Sequence, residues 1–235
     1  MPIEDVTLDW SVVGRRTVEG GADVLDVLLV AIPNEIVARY VKIAQTAGLE
    51  LRALESESFG LARALIGLDK SPLCLVDVGA SSTDITIVDE GTVRIAHNFD
   101  IAGIRLSGTL ARSLQVTYSR ADTIKQESGL KPRAGEKNII DIITPLVDLI
   151  IAEISRFVAD YAAKTNRKVA RLILSGGSAR LPGFAEYFAE KLGFNVTIAN
   201  PFGSLLYPPL LDKKLKIIGP SYGVTVGMAM RHFVQ

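Results

Sequence analysis

Asp77-Val-Gly79-Ala-Ser81-Ser82-Thr83 joins two apolar runs, and this order of residue types suits a phosphate accompanied by a divalent cation. The acid falls at a strand end, and the small residues let backbone N–H groups approach an anion. Asp77 would hold a magnesium ion through water, while Ser81, Ser82 and Thr83 offer hydroxyl groups to phosphate oxygens. An ordinary hairpin turn also calls for glycine and serine, so this stretch alone leaves both readings open. A second stretch, Leu172-Ile-Leu-Ser175-Gly176-Gly177-Ser178, sets two glycines after a buried strand and before a helix. A planar ring could lie there against bare backbone, although a plain strand-to-helix turn reads the same way.

The elements around these stretches follow from periodicity. Residues 73–78, 83–89 and 92–99 are β-rich runs, the last two separated by Glu90-Gly91, which together predict an antiparallel meander. Helical spacing recurs over 104–114, 119–127 and 139–164, with a polar loop at 129–137. A strand over 169–174, a helix over 183–192 and a strand over 195–198 complete the pattern. Upstream, residues 6–13 alternate as a half-buried strand, a glycine-rich stretch covers 14–21, and 24–32 reads as a second strand ended by Pro33. Asn34 is an N-cap candidate for a helix with Ile36, Val37, Tyr40, Val41 and Ala44 on one face. A short strand over 49–54 and a helix over 58–68 lead into the meander. A meander followed by alternating helices and strands is the order of a ribonuclease-H-like α/β layer domain.

Composition narrows the function classes. The 235 residues carry 26 Lys plus Arg against 26 Asp plus Glu, so no long-range field favours nucleic acid or anionic lipid. Lys213, Lys214 and Lys216 form the densest basic group and read as a solvated edge or loop. The single cysteine, Cys74, lies in an apolar run and reads as a buried thiol, which excludes an intramolecular disulfide. His97 and His232 lack acidic or thiol neighbours at zinc-ligand spacing. No run of about 18 residues escapes charge, so no signal peptide or spanning helix is expected and the chain reads as cytoplasmic. The long apolar segment 138–161 is broken by charges and Pro145, as suits a helix packed on a sheet.

The two glycine-bearing stretches occur together at the separation of opposite ends of one nucleotide, and jointly they resemble the actin-like ATPase superfamily. Asp77 to Thr83 resembles its second phosphate loop, and Ser175 to Ser178 resembles its adenosine motif, with Gly176, Gly177 and Ser178 at the ligand. Ala121-Asp122-Thr-Ile-Lys125 is similar to the Ala-Glu-x-x-Lys segment flanking the adenosine in bacterial actins, with Asp in place of Glu; it also reads as a solvated helix face. Glu57 matches the connecting-helix acid that polarises attacking water in ATPase members, or is a carboxylate favoured by a helix N-terminus.

Within the superfamily the chain resembles the PilM family of type IV pilus assembly over essentially its whole length. Residues 5–13, 26–31 and 55–63, Ile101-Ala-Gly103, Asn200-Pro-Phe202 and the small-residue segment 222–231 carry the likeness. It implies an α/β actin-like (ribonuclease-H-like) fold with the second large domain complete and the first only partly present. The implied boundaries are 1–55 for the remainder of an inserted small subdomain, 56–72 for a connecting helix, 73–200 for the second large domain and 201–235 for the C-terminal part of the first. The implied function is an adaptor binding ATP or ADP with Mg2+ and docking the N-terminal cytoplasmic peptide of PilN, and so peripheral to the inner membrane. The alternative is an FtsA-like division ATPase, which shares the nucleotide motifs but fits the flanks less well, or another actin-fold ATPase hydrolysing ATP. Full-length members open with a first phosphate loop, and no Asp-x-Gly precedes Asp77 here. The expectation is therefore a C-terminal fragment with weak or no nucleotide binding and at most weak ATPase activity. Residues 200–235, which ordinarily pack on the other sheet, leave self-association open.

Overall fold

The computed structural model describes residues 2–17, 21–131 and 137–233, and divides into two units, 1–56 and 57–235. In the first unit the alternating runs form an antiparallel pair, β1 (Val6–Thr17) and β2 (Asp23–Pro33). β1 is longer than its alternation suggests because a register shift between Val12 and Gly14 lets pairing continue to Thr17 opposite Asp23. Part of the glycine-rich connection, residues 18–20, lies outside the described residues.

Helix α1 (Asn34–Thr46) follows, but Asn34 is its first residue rather than its side-chain cap. Its amide is taken by the strand side: Thr7 Oγ1 donates to Asn34 Oδ1 (2.8 Å), and Asn34 Nδ2 donates to the Glu4 carbonyl (2.9 Å). Gly48, at φ 67°, ends the helix, with Leu49 N–H returning to the Ala44 carbonyl (2.9 Å). Residues 49–56 form no strand, since no described strand pairs with them, and Leu49 stays 69% exposed.

The second unit is built on a five-stranded sheet of order β5-β4-β3-β6-β7: β3 (Leu73–Val78), β4 (Thr83–Asp89), β5 (Thr92–Phe99), β6 (Arg171–Ser175) and β7 (Asn195–Ile198). β3, β4 and β5 are the antiparallel meander; β6 and β7 join in parallel. Glu90 and Gly91, at φ 55° and 76°, make the two-residue turn whose twist matches the strands.

One sheet face, presenting Cys74, Val76, Val78, Ile85, Ile87, Leu172 and Leu174, packs with α3 (Gly103–Leu114), α4 (Tyr118–Ser128), α5 (Lys137–Thr165) and α6 (Phe184–Leu192). α5 buries Ile139, Ile143, Val147, Ile150, Ile154 and Tyr161, a helical stripe of three- and four-residue steps. Each such side chain contributes about 1.5–3 kcal/mol on leaving water, which holds the helix through Pro145. Within the loop before α5, residues 132–136 lie outside the described residues. The opposite face carries α2 (Glu57–Leu65) and α8 (Gly223–Met230), with a buried hydrogen bond from Thr86 Oγ1 to Ser58 Oγ (3.0 Å). The lysine trio lies on a short helix, α7 (Asp212–Ile218), where Lys216 pairs with Asp212 (2.9 Å). Cys74 is fully buried, and burial pushes its thiol up, as the sequence suggests. No helix among the described residues is long and apolar enough to cross a membrane.

At the hairpin end of β4 the carboxylate of Asp89 is 1% exposed and compensated by Arg167, whose Nη2 donates to Oδ1 (2.6 Å) while Nε lies 2.5 Å from Oδ2. Tyr161 Oη also donates to Oδ2 (2.7 Å). Burial, then the Asp89 hydrogen bond and charge, push that phenol up to about 12, so it remains a donor through neutral pH. Tyr161→Phe keeps the ring and removes one charge-assisted hydrogen bond from a buried acid. The expected loss is about 2 kcal/mol in a urea melt, and a loss under a few tenths would contradict this account.

Candidate functional site

Strand alternation decides which face of the sheet each residue of the first glycine-bearing stretch takes. Asp77 lies on the α2 face of β3, opposite Asp84 on β4 and Ser175 on β6. Glu57 opens α2 on the same face, near enough for the three carboxylates to act on one another. Burial, then the charges of Asp84 and Glu57, push the Asp77 carboxyl up to about 7. Burial and Asp84 likewise raise Glu57. Asn98, across from Asp84 on β5, donates to its Oδ1 (2.8 Å), and Ser82 Oγ lies 3.5 Å from its Oδ2. Sequence reasoning missed Asp84, although counting across the hairpin would have placed it opposite Asp77.

Gly79 N–H closes the turn on the Ser82 carbonyl (3.0 Å). The Gly79 and Ala80 carbonyls accept from Gly103 N–H (3.1 Å) and Ile104 N–H (2.8 Å), so the hairpin is pinned to the start of α3. Ser81 is exposed and Ser82 half-buried. Thr83, the residue before Asp84, turns to the opposite face: it is fully buried and its Oγ1 donates to the Ile101 carbonyl (2.6 Å). Its hydroxyl therefore holds the hairpin in this geometry, on the sheet face away from Asp77.

Gly176, at φ 86°, follows β6, and a β-carbon there would run into Asp77 Oδ1 and the Val78 backbone. Only glycine lets the two stretches lie side by side. The C-terminal segment braces this turn: Gly176 N–H and Ser175 Oγ both donate to the Pro220 carbonyl (2.8 and 3.0 Å). Residues Gly177–Arg180 then form a single 3-10 turn, and a β-carbon at Gly177 would meet only Ser221 Oγ, at 3.9 Å.

On α4, Lys125 is 7% exposed and its Nζ donates to Gly103 O (3.1 Å), Ser107 Oγ (2.7 Å) and Asp122 Oδ1 (2.7 Å). All three of its N–H groups are thus used within the protein. Asp122 Oδ2 accepts from Gln126 Nε2 (2.6 Å). Burial raises the Asp122 carboxyl, but hydrogen bonds from Lys125 and Ser107, the Lys125 charge and the Gln126 bond outweigh it and hold it below the usual carboxylate range. Asp122 is thus a charged acceptor at neutral pH.

These parts enclose a cleft of about 460 Å³. Its walls bring together Gly79, Asp122, Lys125, Gly177 and Ser178 of the residues singled out from sequence. Glu57, Asp77, Ser81, Ser82, Thr83 and Gly176 are not in its walls; Asp77 and Gly176 stand against each other behind the turn. Tyr118, Gln126, Arg180, Leu181 and Ser221 also line it and were missed. Gln126 lies four residues after Asp122 and Arg180 closely follows the adenosine-like motif, so local spacing could have found both. Ser221 gives no local signal, because it arrives with the distant segment that braces Gly176.

Comparison with known proteins places the chain in a family and a fold. A family model described as type IV pilus assembly protein PilM matches residues 1–233. The cell division protein FtsA of Staphylococcus epidermidis is 20% identical over 220 residues, covering 84% of this chain and 47% of that protein. The ethanolamine utilization protein EutJ of Salmonella typhimurium is 25% identical over 170 residues, covering 72% and 55%. The chain thus spans about half the length of these relatives. Among solved structures, a PilM-PilN type IV pilus biogenesis complex superposes with a TM-score of 0.83 at 22% identity, covering 99% of this chain and 68% of that one. MreB5 of Spiroplasma citri bound to ADP gives 0.63 at 14% identity, covering 86% and 66%. Both likenesses show the expected actin-like α/β fold.

Proposed function

The chain belongs to the type IV pilus assembly protein PilM family, and from that premise we propose that it is a nucleotide-binding adaptor whose cleft takes an adenosine nucleotide with Mg2+. The observation that carries the reading is the convergence of the Gly79 hairpin, the Gly177 turn and the charged Asp122 on one cleft of about 460 Å³, a volume within the ordinary range for small-molecule sites. Backbone at Gly79 and Gly177 meets the ligand closely, and a lone pair of Asp122 Oδ2 beside Gln126 accepts from a ribose hydroxyl. A cation bound near Asp77 supplies charge compensation that Asp77, Asp84 and Glu57 lack among themselves. Among the described residues no three such groups stand close enough to chelate an ion directly, so the ion would be held through water and ligand oxygens. Ser81 and Ser82 offer hydroxyls at the exposed turn.

The solved PilM-PilN type IV pilus biogenesis complex is an assembly of those two proteins. For this chain we infer the same type of partner: the N-terminal cytoplasmic peptide of PilN, which would bring the chain to the inner membrane. The domain reading stands alongside it: 1–55 as part of an inserted subdomain, 56–72 as connecting helix, 73–200 as the second large domain and 201–235 as part of the first. A second reading, ATP hydrolysis, rests on Glu57, which lies on the Asp77 face and is held above its ordinary range, as suits a group that orients water.

A thermal-shift titration with Mg-ADP tests the site. At about ten times the dissociation constant the expected stabilisation is about 1.4 kcal/mol, a rise of about 3–5 °C. Asp122→Ala is expected to abolish it. No shift in the wild type with Mg-ADP at about ten millimolar, a concentration at which even a millimolar site is mostly filled, overturns the reading. Phosphate release from Mg-ATP in the same protein separates the adaptor, with negligible turnover, from the ATPase.

A further inference from the structure

Lys125 has the position of a ligand-binding lysine and the bonding of a structural one. Its ammonium group is spent on Gly103 O, Ser107 Oγ and Asp122 Oδ1. Gly103 is the junction: its N–H is bound by Gly79 O (3.1 Å) and its carbonyl by Lys125. A β-carbon at Gly103 would lie 3.2 Å from Gly79 O, 3.3 Å from Ser178 Oγ and 3.5 Å from Lys125 Nζ. The phosphate-side hairpin, the adenosine-side turn and α4 therefore meet at one backbone position.

From Ser82 the hydrogen bonds run unbroken through Gly79, Gly103 and Lys125 to Asp122, and on to Gln126. We propose that Lys125 is a positioning residue that gives the nucleotide no hydrogen bond but couples the ribose-facing acid to the phosphate hairpin, so that the two ends of the cleft are held in register. Such a chain works because each group polarises the next and a buried ammonium holds its partners in fixed places. The affinity consequence rests on the nucleotide reading above; the structural coupling does not.

Amide hydrogen exchange on the free protein is the test. Lys125→Met keeps the apolar stem and removes the three donors. It is expected to speed exchange at Gly79 to Ser82, Gly103 and Ile104 roughly tenfold while leaving β3 and β4 amides such as Val76 and Ile85 unchanged. Affinity for Mg-ADP should fall roughly tenfold in parallel. Faster exchange confined to α4, or spread equally into β3 and β4, overturns the proposal. Should Lys125→Met fail to fold, Ser107→Ala removes one of the lysine's three partners and is expected to speed the same hairpin amides about threefold; an unchanged hairpin overturns it. A wild type that binds no Mg-ADP removes the nucleotide reading and leaves the exchange result to decide the coupling.

Discussion

Gly227→Ala is expected to cost about 3 kcal/mol or more and to lower the melting midpoint by about 6–12 °C. α8 crosses α2 at Gly227, and a β-carbon there would overlap the Gly60 carbonyl, with Gly60 Cα at 2.9 Å. These are backbone atoms of a helix, so they cannot swing aside as a side-chain end would. Arg63 Nη1 also donates to the Gly227 carbonyl (2.8 Å), and that bond is lost if the helices separate. Gly60→Ala makes the matching control. Its new β-carbon would meet Met228 Cγ and Cε at 3.3 Å, a flexible neighbour, and Val224 O at 3.2 Å. Its expected cost is about 1 kcal/mol. Denaturant melts of the two variants check the order; equal losses would mean that the helices slide rather than jam. Because α2 begins with Glu57, displacement of the crossing also moves a carboxylate of the site.

The sheet was legible because its signals are local. The bounds of β3, β4, β5 and β7 follow from short β-branched runs closed by turn residues, and the α5 stripe from a plain helical period. The reading over 49–54 failed because apolar alternation states what a strand would bury and not whether a partner strand exists. The site was half legible. Asp-x-Gly occurs twice, as Asp77-Val-Gly79 and Asp89-Glu-Gly91, at opposite ends of β4. One ends in a cleft; the other is a turn whose acid is covered by Arg167 and Tyr161. The triplet cannot tell these apart, since the difference lies in which sheet end the α3 and α4 helices cover. Reading down the hairpin groups Thr83 with Asp77, whereas reading across it shows that alternation puts the two on opposite faces. Lys125 was recognised by position, but three protein acceptors had claimed it, two of them on α3 and unrelated to its own segment.

Asp77→Asn is expected to make the protein more stable at pH 8 by up to about 4 kcal/mol and about as stable as the wild type near pH 4. The sign follows from the direction of the shift. The Asp77 carboxyl is raised from 3.8 to about 7, so between those values the folded chain holds a proton that the unfolded chain has released. Its contribution to stability is complete below about pH 4 and is lost as pH rises through about 7. Three units at about 1.4 kcal/mol each set the upper figure, which relaxation of the cleft reduces. The asparagine cannot ionise, so its stability lacks that decline. Urea melts at half-unit pH steps from 4 to 8 measure the difference, and parallel profiles would show that Asp77 ionises freely. Magnesium sharpens the test, because a cation near Asp77 favours the charged form and should flatten the wild-type decline while leaving the asparagine variant unmoved. A carboxylate crowded by two others on a buried sheet end costs stability at neutral pH, and that cost becomes intelligible if the same crowding is what gives the site its preference for a cation-accompanied phosphate.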